Sequence, residues 1–180
     1  LCSLIIPGKS PPRCVLPHAG PEPGFGFGVA GACYPEGHLE SPSLKADVES
    51  LRYKAEAGVS HLITQLFFDN VSYYRFLNMA RKAGISLPVQ AGIMPIVSKR
   101  QIERTVALSS ASLPPQFTKM ISRYDHDEQA LFDAGIEYAV TQIRDLITGG
   151  ADGIHLYAMN NARVARLVYE GIRDLLPERT

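Results

Sequence analysis

Strands alternating with helices along the chain predict an α/β fold on a parallel sheet. Short apolar runs at 25–33, 61–68, 87–94 and 153–158 read as strands, with helical periodicity between them. The runs are apolar on both faces, as parallel strands covered on both sides must be. Three helix exits also look alike: Glu56-Ala57-Gly58-Val59, Lys82-Ala83-Gly84-Ile85 and Gly149-Gly150-Ala151-Asp152. Each places glycine where a helix ends in a left-handed turn and leads into an apolar run. The expected count is four βα units.

Residues 1–23 stand apart. Pro7, Pro11, Pro12, Pro17, Pro21 and Pro23 fall within them and no period survives, so an irregular lead-in is expected. The main domain, 24–180, opens with the small, apolar strand 25–33. Ser43 to Ala57 is helical, with Leu44, Val48, Leu51 and Ala55 on one stripe. His61 to Phe68 is a buried strand, and Asp69 caps a helix running to Ala83. Leu87 to Met94 is the next strand and Ser98 to Ser109 the next helix. Pro114-Pro115 starts a short helix, and Glu128 to Thr148 is a long one. Gly153 to Ala158 is the last strand, and Asn160 is expected to cap a closing helix to Leu176. Such units build either an open doubly wound sheet or a (β/α)8 barrel, and in both the functional groups gather at the strand C-termini.

Composition narrows the function. With 18 basic and 18 acidic residues among 180, there is no electrostatic case for nucleic acid or an anionic membrane surface. No apolar run approaches the roughly 20 residues of a membrane-spanning helix. Three cysteines make no disulfide framework and suggest a reduced, cytoplasmic protein. Cys2, Cys14 and His18 lack a fourth ligand and a recognised zinc spacing, so no metal is expected. Gly26-Phe27-Gly28-Val29-Ala30-Gly31 matches a dinucleotide fingerprint, but Ala32-Cys33-Tyr34-Pro35 continues extended where a helix would have to begin. A tight strand of small residues is the better reading.

Polar groups recur at the strand C-termini, in Tyr34-Pro35-Glu36-Gly37-His38, Thr64-Gln65 and His155-Leu156-Tyr157, while the third strand ends Gly92-Ile93-Met94-Pro95. Asp47, Ser50 and Lys54 lie at i, i+3 and i+7, one helical face that is either solvated or functional. Gln65 interrupts an apolar strand and needs hydrogen-bond partners from the protein or a ligand. Gln101 follows Ser98 at capping-box spacing, which explains it without a ligand. Tyr157 fits core packing with its hydroxyl at the rim.

The runs GVAGACYPEGH (28–38), ADVESLRYKAEAG (46–58), ITQLFFD (63–69), GIMPI (92–96) and GIHLYAMN (153–160) resemble the methylenetetrahydrofolate reductase family, over about residues 24–176. The resemblance implies a (β/α)8 TIM barrel, with this chain carrying about the last four βα units as a partial barrel. It implies FAD, NADH or NADPH as hydride source, and reduction of 5,10-methylenetetrahydrofolate to 5-methyltetrahydrofolate for methionine synthesis. It implies flavin contacts from Tyr34, His38, Asp47, Ser50 and Lys54, folate contacts from Gln65, Gln101 and Tyr157, and a homo-oligomeric intact enzyme. Two positions depart from the family: Asn161 and Tyr53 stand where basic residues are common. The resemblance implies that the general acid belongs to the first four strands of the barrel, and residues 1–23 are too few to supply them. The chain therefore reads as a partial record of a longer enzyme. The rival is a non-catalytic flavin-binding or assembly module that pairs with another chain across an open sheet edge.

Overall fold

The computed structural model describes residues 2–5, 28–108 and 111–176. Cys14 and His18, weighed above for zinc, and the first two positions of the glycine motif lie outside these residues. The elements are β1 (Cys2–Ile5), β2 (Ala30–Cys33), α1 (Leu44–Glu56), β3 (His61–Thr64), α2 (Asn70–Lys82), β4 (Val89–Ile93), α3 (Lys99–Leu108), α4 (Pro115–Arg123), α5 (Glu128–Thr148), β5 (Gly153–Leu156) and α6 (Ala162–Ile172). A 3-10 turn, Arg173–Leu175, follows α6, so the closing helix ends earlier than its apolar pattern suggests.

The sheet order is β1-β5-β4-β3-β2. Neighbours from β2 to β5 are parallel, as the alternation predicts. Within the lead-in expected to be irregular, Cys2–Ile5 is instead a strand, paired antiparallel with β5 from Cys2↔Leu156 to Ile5↔Gly153. Its regularity comes from a partner at residues 153–156, far along the chain, which a local period cannot register.

From β2 to β5 the order runs in one direction without reversal. Right-handed crossovers then place every connecting helix on one face. The helices do lie in a row, α1 against α2, α2 against α5, and α5 against α6. A doubly wound sheet needs a reversal of strand order to populate both faces.

Local chemistry sets the helix ends. Ser43 accepts from the Ala46 N–H, Asp69 from Val71 and Asp127 from Ala130. The cap of α6 is Asn161, which accepts from the Val164 N–H, and not Asn160 as the sequence suggests. Met159 and Asn160 both have positive φ (50° and 61°), so the loop turns through two left-handed residues before the helix can start. The glycine exits are confirmed at Gly58, Gly84 and Gly150, all with φ above 80°.

The main core lies between sheet and helices, where Leu62, Val89, Ala91, Ile93, Ile154 and Leu156 meet Leu51, Tyr73, Phe76, Ile143 and Val168. A smaller cluster of Phe68, Ile96 and Phe117 packs under α4, with the two phenyl rings stacked at 4.3 Å. Asp152, at the entrance to β5, locks three segments together. Its Oδ2 accepts from Arg81 Nη2 (2.9 Å) and from the buried Val89 N–H (3.0 Å), while Arg81 also donates to the Ile85 and Leu87 carbonyls. No helix among the described residues is long and apolar enough to cross a membrane.

Candidate functional site

Two hollows open side by side at the C-terminal ends of the parallel strands. The first, about 260 Å³, is lined by Cys33, Tyr34, His38, Asp47, Ser50, Leu51, Lys54 and Phe76. Its shape begins with a turn in which Pro35 presets the bend and the Gly37 N–H donates to the Tyr34 carbonyl at 3.1 Å. Gly37 has φ +94°, a left-handed conformation that costs a side chain energy. The turn aims the His38 backbone N–H at Asp47 Oδ2, 2.5 Å away. His38 Nδ1 accepts from the Glu40 N–H at 3.2 Å. Its ring meets Tyr34 edge-on, with centroids 4.6 Å apart.

The α1 face supplies the opposite wall. Ser50 Oγ donates to the Asp47 carbonyl at 2.7 Å, a bond within its own helix. Lys54 Nζ donates to the Ala32 carbonyl at 2.6 Å, reaching from helix to strand. Beneath them Cys33 is fully buried, and that burial pushes its thiol up to about 12 despite the nearby Lys54 ammonium. This thiol is a wall and not a nucleophile. Tyr53 points outward, 75% exposed, and takes no part.

The second hollow, about 210 Å³, is lined by Gln65, Leu66, Met94, Gln101, Arg104, Thr105, Tyr157 and Met159. Gln65 sits just past the end of β3, not within the strand. Its backbone N–H donates to the Cys33 carbonyl at 2.7 Å, joining the two hollows at the β2 and β3 ends. Its Oε1 accepts from the Leu66 N–H at 3.0 Å. Gln101 does belong to a capping arrangement: its N–H donates to Ser98 Oγ (3.3 Å), while its Oε1 accepts from Val97 (2.9 Å). Both carboxamide oxygens are thus occupied by backbone donors, which leaves the –NH2 ends for a ligand. Tyr157 lies over Gly92 and donates its hydroxyl to the Thr64 carbonyl at 2.9 Å. Burial, with the neighbouring Cys33 and Tyr34, holds that phenol above its ordinary range, so it remains protonated.

All eight positions singled out in the sequence fall at these two hollows, five at one and three at the other. Sequence reasoning missed Arg104, although it stands at i+3 from Gln101 on the same helix. It also left Glu36 without a role. That carboxylate accepts from Ser72 Oγ (3.2 Å) and from the Ser112 N–H (2.9 Å) and hydroxyl, tying the turn after β2 to the segment before α4.

The family model for methylenetetrahydrofolate reductase matches residues 21–173 of this chain. The chain belongs to that family. A probable methylenetetrahydrofolate reductase (NADPH) of Caenorhabditis elegans is 36% identical over 149 residues, covering 82% of this chain and 22% of its own length. The 5,10-methylenetetrahydrofolate reductase of Escherichia coli is 31% identical over 139 residues, covering 77% of this chain and 47% of its own. The chain therefore spans about half the length of the bacterial reductases it matches, and less of the nematode one. Among solved structures, an uncharacterized protein from Clostridium thermocellum superposes with a TM-score of 0.61 at 14% identity, over 83% of this chain and 54% of that one. That likeness is one of fold. The Clostridium protein is described as binding two copies of 5-methyl-5,6,7,8-tetrahydrofolic acid.

Proposed function

We propose that this chain forms the C-terminal half of a flavin-binding (β/α)8 TIM barrel. The whole enzyme reduces 5,10-methylenetetrahydrofolate to 5-methyltetrahydrofolate with NADH or NADPH, as a cytoplasmic homo-oligomer using FAD. The observation that carries this reading is the sorting of the eight positions into two adjoining hollows at one end of a parallel sheet. The unreversed strand order and single row of helices support the barrel. The folate bound by the Clostridium neighbour supports the substrate class.

The first hollow fits part of a flavin dinucleotide. It combines one ammonium, two hydroxyls, an imidazole and one carboxylate, a donor set suited to a polyol joined to phosphate. Its volume suits that segment and not a whole dinucleotide. Lys54 would exchange the Ala32 carbonyl for a phosphate oxygen, Asp47 would accept from a ribityl hydroxyl, and Tyr34 and His38 would wall the site. Bound there, the flavin ring supplies two-electron chemistry that no side chain offers. Gln65 and Gln101 present –NH2 donors to a pterin edge, and Tyr157, fixed through Thr64, sets the depth of the second hollow. The general acid is assigned to strands outside these 180 residues.

A flavin titration of the purified chain tests the reading. Wild type is expected to quench flavin fluorescence on binding FAD. Lys54→Met is expected to bind about tenfold more weakly, the scale of one charge-assisted contact. Absence of FAD binding by wild type would overturn the assignment of the first hollow.

A further inference from the structure

The second hollow has an uneven chemistry. Leu66, Met94, Met159 and the Tyr157 ring give it an apolar body, and two carboxamides mark its polar edge. Arg104 is the one charged residue lining it. It is exposed, one turn of α3 beyond Gln101, so the two side chains leave the helix on the same side. No hydrogen bond or ion pair engages Arg104 among the described residues. Among the neighbouring cations, Lys99 pairs with Asp125 at 2.8 Å, Lys54 reaches Ala32 at the adjoining hollow, and Arg100 lines a different hollow beside Ser98 and Asp125. Asn161, just past the Met159 rim, carries no charge and is occupied as the α6 cap.

We propose that Arg104 is the specificity-determining cation of this hollow and pairs with a carboxylate at the outer end of its ligand. A guanidinium presents a planar fork that matches a carboxylate in two parallel hydrogen bonds, geometry a lysine cannot reproduce. The ligand is then a molecule with a flat body for the methionine and tyrosine surfaces, an amide-like edge for the two glutamines, and an anionic tail at the α3 rim. The inference rests on reading this hollow as a reduced-folate site, and it names the residue that reads the tail.

The test uses the full chain and two probes, 5-methyltetrahydrofolate and its analogue with both glutamate carboxylates converted to carboxamides. Affinities are measured by calorimetry for wild type, Arg104→Gln and Arg104→Lys, with circular dichroism to verify folding. Wild type is expected to prefer the dicarboxylate about 10- to 100-fold. Arg104→Gln is expected to lose that preference by weakening the dicarboxylate alone, and Arg104→Lys to restore part of it. Equal weakening of both probes by Arg104→Gln, or no weakening of either, overturns the role of Arg104 while leaving the folate reading intact. A wild-type chain that binds neither probe overturns the folate reading and the inference with it.

Discussion

At the scale of single residues, the site depends on the smallness of Gly92. A Cβ there would lie 2.3 Å from the Thr64 carbonyl oxygen and 2.7 Å from the Tyr157 ring. Both are fixed, since Tyr157 is hydrogen-bonded to that same carbonyl and Thr64 Oγ1 accepts from the Gly92 N–H at 2.8 Å. Glycine is required here for close approach and not for its backbone freedom. Gly92→Ala is expected to destabilise the fold by about 1–3 kcal/mol, the usual cost of overpacking. It is also expected to displace the tyrosine and weaken any ligand of the second hollow. Urea titration reads the first effect and ligand affinity the second; an unchanged midpoint would refute the account.

At the scale of elements, the Asn161 cap joins a structural role to a missing charge. Its Oδ1 holds the Val164 N–H, one of the donors that a helix start leaves without an internal partner. Asn161→Lys restores the basic residue common in the family but removes the cap, at about 1 kcal/mol. The variant is expected to melt earlier than wild type, with the loss confined to α6 in hydrogen exchange; equal protection of α6 in both proteins would count against this.

The same loop shows where sequence reading stops. Asp69 was legible as a cap because it directly precedes a clear amphipathic run, whereas Ser43, read as the first helical residue, is the cap of α1. Asn160 and Asn161 are equally good caps, and only the two left-handed residues ahead of the helix decide between them. The Asp47, Ser50 and Lys54 face was legible because a helix carries its own period. That Gln65, Gln101 and Tyr157 converge depends on sheet register and on the loop after β4, which no local spacing encodes, so their grouping came from family resemblance. Strand β1 was hidden for a related reason, its order being set by residues 153–156.

At the scale of the whole molecule, β4 and β5 are buried on both faces, and this makes the fold sensitive to acid. His155, on β5, is 5% exposed. Burial foremost, with added repulsion from positive charge including His61, lowers its affinity for protons. The sign follows from linkage: below the ordinary histidine value of 6.5 the unfolded chain takes up a proton that the folded chain resists. Stability is therefore expected to be full above that pH and to fall as pH drops from it toward the lower folded value. Urea midpoints compared between pH 7 and 5 for wild type and His155→Gln should show a flatter dependence in the variant; parallel curves would refute the assignment.

Strand β1 gives that sheet a competitor of its own. A (β/α)8 barrel surrounds itself with parallel neighbours, yet here Cys2–Ile5 lies antiparallel along β5. The two arrangements claim the same row of backbone donors and acceptors and cannot coexist. A parallel strand arriving at β5, from any source, must first evict one that is already tethered to the chain and therefore present at high effective concentration. In the proposed barrel, closure at this edge would be a strand exchange: its affinity would be the difference between two pairings, and its rate would be set by how often four residues let go.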